Sequence, residues 1–515
     1  MKRILILSWM MLVGWILTAE WQAPAATAAT SSEPAATDDF SPPQIPLPTF
    51  ADKNFDVKEF GATGDGQTND TSAVNKAIEA CNAQGGGTIR FPEGKYMVAS
   101  VHLLSNVRLL LDDKAVIEGR KDGYDALEPN PTNGKYQDVG HSHFHDAVMW
   151  GENIENFAVI GGQVNGGGVT QGNPKEGGGD KVFAIKVGKN LLFKNTKHVT
   201  GGHFVYLLND CENITIDHAV IKKSRDAIDL MGCRNVAMTG CSFTGCSDDT
   251  LGIKSDYALG RRIKSENIYA WDDYFESGCN GLQFGSETAG DFQHIRIWNI
   301  KIGRAMKAGI GITSNDSGRI EDVRYRNIEI KGAANPIYIL ITDRLRTGEP
   351  HVTPGQIKDV TIQNVTVTEC AAGRQGEVNP TSICGLPDYP IENLTLKDVK
   401  IVMPGGGSNR DASVDPPYPK DYSPRSLGPR PASAFFIRNV KGLTLKDVEV
   451  SYEKPDQRPP LAIVNADGIT LDHVTISDKP SDVDWMRLTK VKGLMLRDSL
   501  GLADIQGEAI DQGTK

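Results

Sequence analysis

Aspartates in the middle of the chain carry the residue type that moves protons. Four short segments fall into step when aligned: Asp226-Ala227-Ile228-Asp229-Leu230, Asp249-Thr250-Leu251-Gly252-Ile253, Asn280-Gly281-Leu282-Gln283-Phe284 and Ala308-Gly309-Ile310-Gly311-Ile312. Two apolar columns emerge, Ile228/Leu251/Leu282/Ile310 and Leu230/Ile253/Phe284/Ile312, and these must face a core. That turns the column Asp229/Gly252/Gln283/Gly311 outward, to solvent. Asp226 and Asp249 then hold equivalent places on neighbouring repeats, with Asp248 immediately before Asp249. Carboxylates that converge repel one another, so the pKa of at least one rises, which is what a general acid beside a general base requires. An Asp ladder at strand ends, or a calcium site serving β-elimination from uronates, fits the same patch. The patch alone leaves the three open.

The elements that must position these residues are announced by a recurring nine-residue phrase, [N/D/G/H]-apolar-x-apolar-x-[N/D/H/G]-x-x-apolar. It starts at Asn213, Asn235, Asn267, His294, Asp322, Asp359, Asn393, Gly442, Gly468 and Gly493, with weaker copies at Asn106, Asn156 and Asn190. The alternation is that of a half-buried strand, and repetition at a near-constant period means stacked units that cannot bury their cores alone. Val, Ile and Thr dominate, and the helix-bearing pattern of leucine-rich repeats is missing. The expected fold is therefore all-β: a right-handed parallel β-helix, a solenoid whose neighbouring coils pair edge to edge. Between Asn69 and Gln84, Ala73, Val74, Ala77, Ile78 and Cys81 line one helical face, predicting a helix that caps the N-terminal end, with Asp70 and Thr71 at its start and Gly85-Gly86-Gly87 at its stop. The Pro- and Gly-rich residues 404–431 read as a surface loop wrapped over one face.

With 39% hydrophobic and 23% charged residues in 515, the chain can bury a large core, which excludes wholesale disorder and a polytopic membrane protein. A net charge of −10 argues against nucleic acid as a partner. Lys2 and Arg3, an apolar run from Ile4 to Ala19 and the small residues Ala25 to Ala29 predict a secretory signal peptide over residues 1–29. A linker follows at 30–52, one β-helix domain at 53–505, and a C-terminal tail at 506–515. The protein is expected to be secreted or periplasmic, monomeric, and off the membrane once the signal is cleaved. Eight cysteines without a C-x-x-C spacing read as buried free thiols.

From about Phe55 to Ile330 the chain resembles glycoside hydrolase family 28, the polygalacturonase-like family of the pectin-lyase-like β-helix superfamily. The resemblance rests on Phe60-Gly61-Ala62-Thr63-Gly64-Asp65-Gly66, Gly161-Gly162-Gln163-Val164-Asn165-Gly166, Ser224-Arg225-Asp226, Ser247-Asp248-Asp249 and Ile253-Lys254-Ser255. It implies a pectic or related polysaccharide as substrate, Asp248 as general acid, Asp226 and Asp249 as the pair that activates water, inversion at the anomeric carbon, and no cofactor or metal. Two positions depart from the family. Its glycine-flanked histidine is Asn280 here, and its R-I-K segment is Gly311-Ile312-Thr313. The missing Arg and Lys would have held a galacturonate carboxylate, which shifts the expectation toward branched pectin such as rhamnogalacturonan, or a galactan.

Candidate substrate-binding residues are Asp229, Lys254, Asn280, Gln283, Glu287, Arg304 and Lys307, the last two able to restore positive charge from the preceding turn. Glu287 could hold sugar hydroxyls. His141, His143 and His145 would share a strand face, as metal ligands or as the wall of a subsite. Arg344 and Arg346 could reach an anionic sugar, whereas Asp272 and Asp273 read as structural. A β-helix lyase or epimerase, and a non-catalytic carbohydrate-binding β-helix, are the alternative classes.

Overall fold

The computed structural model describes residues 39–167, 179–374 and 376–514. The expected signal peptide and the first part of the linker lie outside the described residues. From Pro42 onward the chain forms one compact unit. No helix among the described residues is long and apolar enough to cross a membrane.

The recurring phrase has a conformational cause. All ten of its starting residues, Asn213 (φ 56°) to Gly493 (φ 61°), sit in the left-handed region, and so do the sixth residues, from His218 (φ 54°) to Asp498 (φ 42°). Asn, Asp, His and Gly tolerate that region best, so the polar positions mark the corners where each coil bends. Between two corners runs a strand such as Glu212–Asp217, with Ile214 and Ile216 buried. It pairs in parallel with Arg234–Thr239, setting Ile214 on Val236 and Ile216 on Met238. The corner amides also stack. Asn156 Nδ2 donates to Asn106 Oδ1 at 3.1 Å, and the ladder continues through Asn190, Asn213, Asn235 and Asn267 at 2.8–3.0 Å per step.

Every ladder between the named strands is parallel but the last. This is the right-handed parallel β-helix expected. The residues read as a tail belong to it, because Ile505–Thr514 runs antiparallel to Met486–Arg497. Reversing direction there occupies the edge that another coil would otherwise extend. At the other end the helix Thr71–Ala83 buries Ala73, Val74, Ala77, Ile78 and Cys81, as predicted. Its start differs from expectation: Asp70 does not cap it, since its carboxylate accepts the Thr63 and Gly64 amides at 2.8 and 3.2 Å. Asn69 Oδ1 takes the Thr71 amide instead, at 3.1 Å.

All eight cysteines are free and buried. Asp272 and Asp273 are structural: Asn299 Nδ2 donates to Asp272 at 2.9 Å and the Cys241 amide to Asp273 at 2.7 Å. Residues 404–431 contain two short turns, Asn409–Ala412 and Pro424–Leu427. Leu427 is buried among Tyr338, Leu340, Phe436 and Ala432, so the loop is fastened to the outer face of the sheet that follows the aspartate coils.

Candidate active site

The register found in the sequence is the register of the structure. Ile228 faces Leu251, Leu251 faces Leu282 and Leu282 faces Ile310, while Leu230, Ile253, Phe284 and Ile312 form the second column. Asp226 and Asp249 therefore close adjacent coils, and the Asp249 amide donates to Asp226 Oδ1 at 2.9 Å. Asn280, next in the stack, donates its side-chain amide to Asp249 at 2.7 Å and its backbone amide at 3.2 Å. Asp226 and Asp249 are buried, whereas the Asp248 side chain keeps 27% of its surface open. Arg225 lies among the carboxylates: its guanidinium is 3.0 Å from Asp226, 3.3 Å from Asp248 and 3.8 Å from Asp138.

These residues line one cleft together with His141, Lys254, Ser286, Glu287, Lys307 and Tyr422. Burial, and then the Asp248 charge, push the Asp226 carboxyl well above the usual carboxylate range despite the pull of Arg225. Asp249 is raised by the same two causes. The predicted repulsion thus falls on the two buried members.

Asp229 and Gln283 correct the expectation of a solvated column. Both point away from the core, as alternation requires, yet both are buried because other elements cover them. Lys254 Nζ donates to Asp229 Oδ2 at 2.7 Å and His141 Nε2 lies 3.1 Å from the same oxygen. Asp256 stands 3.2 Å from the other His141 nitrogen. Burial opposes the His141 charge, but Asp229 and Asp256 raise its pKa to about 10. Lys254 is held above its ordinary value by Asp229, Asp226 and Asp249, again against burial. Gln283 packs beneath the cleft, 3.4 Å from Thr313 Oγ1, and is not one of the lining residues.

Arg304 is likewise placed elsewhere. It ends the strand Phe292–Ala305 opposite Glu276, exposed, with its stem against Gly332. The bend that follows turns Lys307, not Arg304, into the cleft. Arg346 donates to Glu287 Oε1 at 2.7 Å and Arg344 to Asp316 Oδ1 at 2.8 Å, so both cations have carboxylate partners. The three histidines do not share a strand face, because the segment folds as the short helical turn Val139–His141 and an irregular stretch. His141 lines the cleft, His143 lies 2.9 Å from the Glu128 carbonyl, and His145 stacks on Trp150 at 3.9 Å.

Asp138, Arg225, Ser286 and Tyr422 were not singled out from the sequence. Arg225 was signalled, as the charge before Asp226 in the family-like segment Ser224-Arg225-Asp226. Tyr422 had no such signal, because it arrives on a loop outside the repeat phase.

A pectin-lyase-like parallel β-helix with a carboxylate cluster on the outer face of two adjacent coils is the class that this architecture defines. Within it the chain belongs to glycosyl hydrolases family 28, whose profile matches residues 126–416, more than half of the chain. The match begins later and runs further than the Phe55–Ile330 span expected. A probable polygalacturonase of Vitis vinifera is 24% identical over 326 residues, covering 60% of this chain and 60% of that protein. Plasmin and fibronectin-binding protein A of Streptococcus pneumoniae is 27% identical over 318 residues, 55% of this chain and 40% of that protein. The chain thus spans less than two thirds of either relative. The solved family 28 exopolygalacturonase of Yersinia enterocolitica superposes with a TM-score of 0.63 at 15% identity, over 88% of this chain and 79% of that one, a likeness of fold.

Proposed function

We propose that the protein is an exported glycoside hydrolase that cleaves O-glycosidic bonds of a pectic polysaccharide by single displacement with inversion. The observation that carries this reading is the convergence of Asp226, Asp248 and Asp249 from adjacent coils on one cleft, two buried and one open. Asp248 is the general acid because its carboxyl is the accessible one. Its proton passes to the glycosidic oxygen as the bond from that oxygen to the anomeric carbon breaks. Water attacks the same carbon from the opposite face and gives its proton to Asp226 or Asp249. The raised carboxyls of Asp226 and Asp249 mean that the cluster holds a proton in common; the reaction needs that proton on Asp248 when the glycosidic oxygen arrives, and both buried groups bind a proton more tightly once Asp248 is anionic.

Arg225 occupies the space among Asp138, Asp226 and Asp248 with a fixed positive charge, which supports metal-independent action. The signal-like segment before Ala29 supports export, and the cleft is lined by residues of a single chain, which fits a working monomer. Gly311 and Thr313 stand where the family places its carboxylate clamp. The preferred substrate is accordingly a rhamnogalacturonan-type or otherwise branched pectin rather than smooth homogalacturonan.

Incubation with pectic and galactan polymers tests the reading. New reducing ends should appear without the ultraviolet absorbance of unsaturated uronates, unaffected by chelator, and proton magnetic resonance of fresh product should show the inverted anomer. Absorbing products with calcium-restored activity would identify a lyase, binding without turnover would identify a carbohydrate-binding protein, and a retained anomer would exclude single displacement.

A further inference from the structure

The cations around the cleft differ in one respect. Lys254 is engaged by Asp229 at 2.7 Å, Arg225 by Asp226 at 3.0 Å and Arg346 by Glu287 at 2.7 Å. Lys307 lines the same cleft and, among the described residues, forms no salt bridge. Its ammonium instead stands 4.6 Å from the centroid of the Tyr422 ring. Tyr422 is held in place from the far side of the loop, because the turn Pro424–Leu427 immediately after it is anchored by buried Leu427. The Cys279 side chain also meets the ammonium and the Asp249 charge acts on it from nearby, yet no carboxylate pairs with it directly, so a cationic head braced over an aromatic face stays available to an anion.

The register fixes where that anion would lie. Coil by coil, the ladders place Lys307 two steps beyond Asp248, in the column that runs through Cys279. Two coil spacings are about 10 Å, a span that a sugar flanking the bond attacked by Asp248 and the reach of a lysine side chain cover together. Between them stands Asn280. Its Nδ2 is committed to Asp249, but its Oδ1 is buried, without a hydrogen-bond partner, and Asn280 lines the cleft. A buried unpaired acceptor is costly until a donor arrives, and a sugar hydroxyl supplies one.

We propose that Lys307, braced by Tyr422, is the specificity-determining residue for one uronate carboxylate on the sugar next to the scissile bond, with Asn280 Oδ1 accepting a hydroxyl of the bound sugar. A single point charge takes the place of a two-residue clamp, so the cleft reads one acidic sugar and leaves its neighbour unread. That suits a backbone in which acidic and neutral sugars alternate. The substrate class rests on the hydrolase reading above; the recognition of a uronate by Lys307 does not.

Calorimetric titration of the Asp248→Asn protein with trigalacturonate and with its methyl ester separates the two. The acid should bind about ten- to a hundredfold more tightly than the ester. Lys307→Met should bring the acid to the affinity of the ester while leaving the ester unchanged, Lys307→Arg should keep most of the preference, and Tyr422→Ala should lose part of it. Equal affinities for acid and ester, or an equal loss of both in Lys307→Met, would overturn the proposal even if hydrolysis is observed. A Lys307-dependent preference for the acid would support it even if no polymer is cut. Should Lys307→Met fail to fold, loss of the preference in Lys307→Arg at unchanged ester affinity would overturn it as well.

Discussion

His141 shows what burial does to a single residue here. It stands between two buried carboxylates, Asp229 and Asp256, and can offer an N–H to both at once only as the cation, and its pKa is raised to about 10 from an ordinary 6.5. A pKa raised on folding means that the folded state binds the proton more tightly. The resulting stabilisation is complete below about 6.5 and is lost as pH rises through about 10. Urea unfolding of wild type and His141→Gln should therefore differ most at pH 6, with the gap closing by pH 10.5. A gap that does not change with pH would mean that His141 is neutral in the folded protein. The same residue shares Asp229 with Lys254: the ammonium donates to that carboxylate and His141 completes the pairing from the other side.

Among the elements, the coil corners carry the clearest energetic signature. Asn235 has φ 55°, donates to Asn213 at 3.0 Å and accepts from Asn267 at 3.0 Å. Asn235→Ala should cost about 2–3 kcal/mol, from left-handed strain of about 1–2 kcal/mol and the lost ladder bonds. Asn235→Gly should cost less, because glycine removes the strain and loses only the bonds. Thermal or urea unfolding ranks the two, and equal losses would remove strain from the explanation. At Gly311 the opposite constraint applies. A Cβ there would fall 2.2 Å from Gln283 Oε1 and 3.1 Å from Tyr338 Cε1, so an arginine enters only if the buried Gln283 amide swings aside. Gly311→Arg should destabilise by about 1–3 kcal/mol and gain no affinity for trigalacturonate. A stable variant with tighter binding would show that the clamp position is still usable.

Across the whole molecule, what the sequence made legible is what repeats. Left-handed corners recur as Asn, Asp, His or Gly, and that recurrence alone exposes the solenoid, the two apolar columns and the placement of Asp226, Asp248 and Asp249. Residues outside the repeat phase stayed hidden. Asp138 comes from an irregular stretch before the strand Ala147–Glu152, and Tyr422 from the loop at 404–431, and no local pattern tells which coil such a segment covers; His141, from the same stretch, reads as a possible subsite wall but on a strand it does not form. Asp229 and Gln283 were read as solvated for that reason, since alternation says which way a side chain points and not what lies over it. Arg304 failed on a smaller scale, where the bend before Lys307 decides which cation enters the cleft. The proposed mechanism turns on one group, the carboxyl of Asp248 as proton donor. The most direct measurement is release of reducing ends from the best pectic substrate by Asp248→Asn beside wild type, with unfolding followed in parallel. A loss of about 10²- to 10⁴-fold is expected with stability nearly unchanged, because the amide keeps the shape and the site is partly open. Retention of more than about a tenth of the wild-type rate would contradict it.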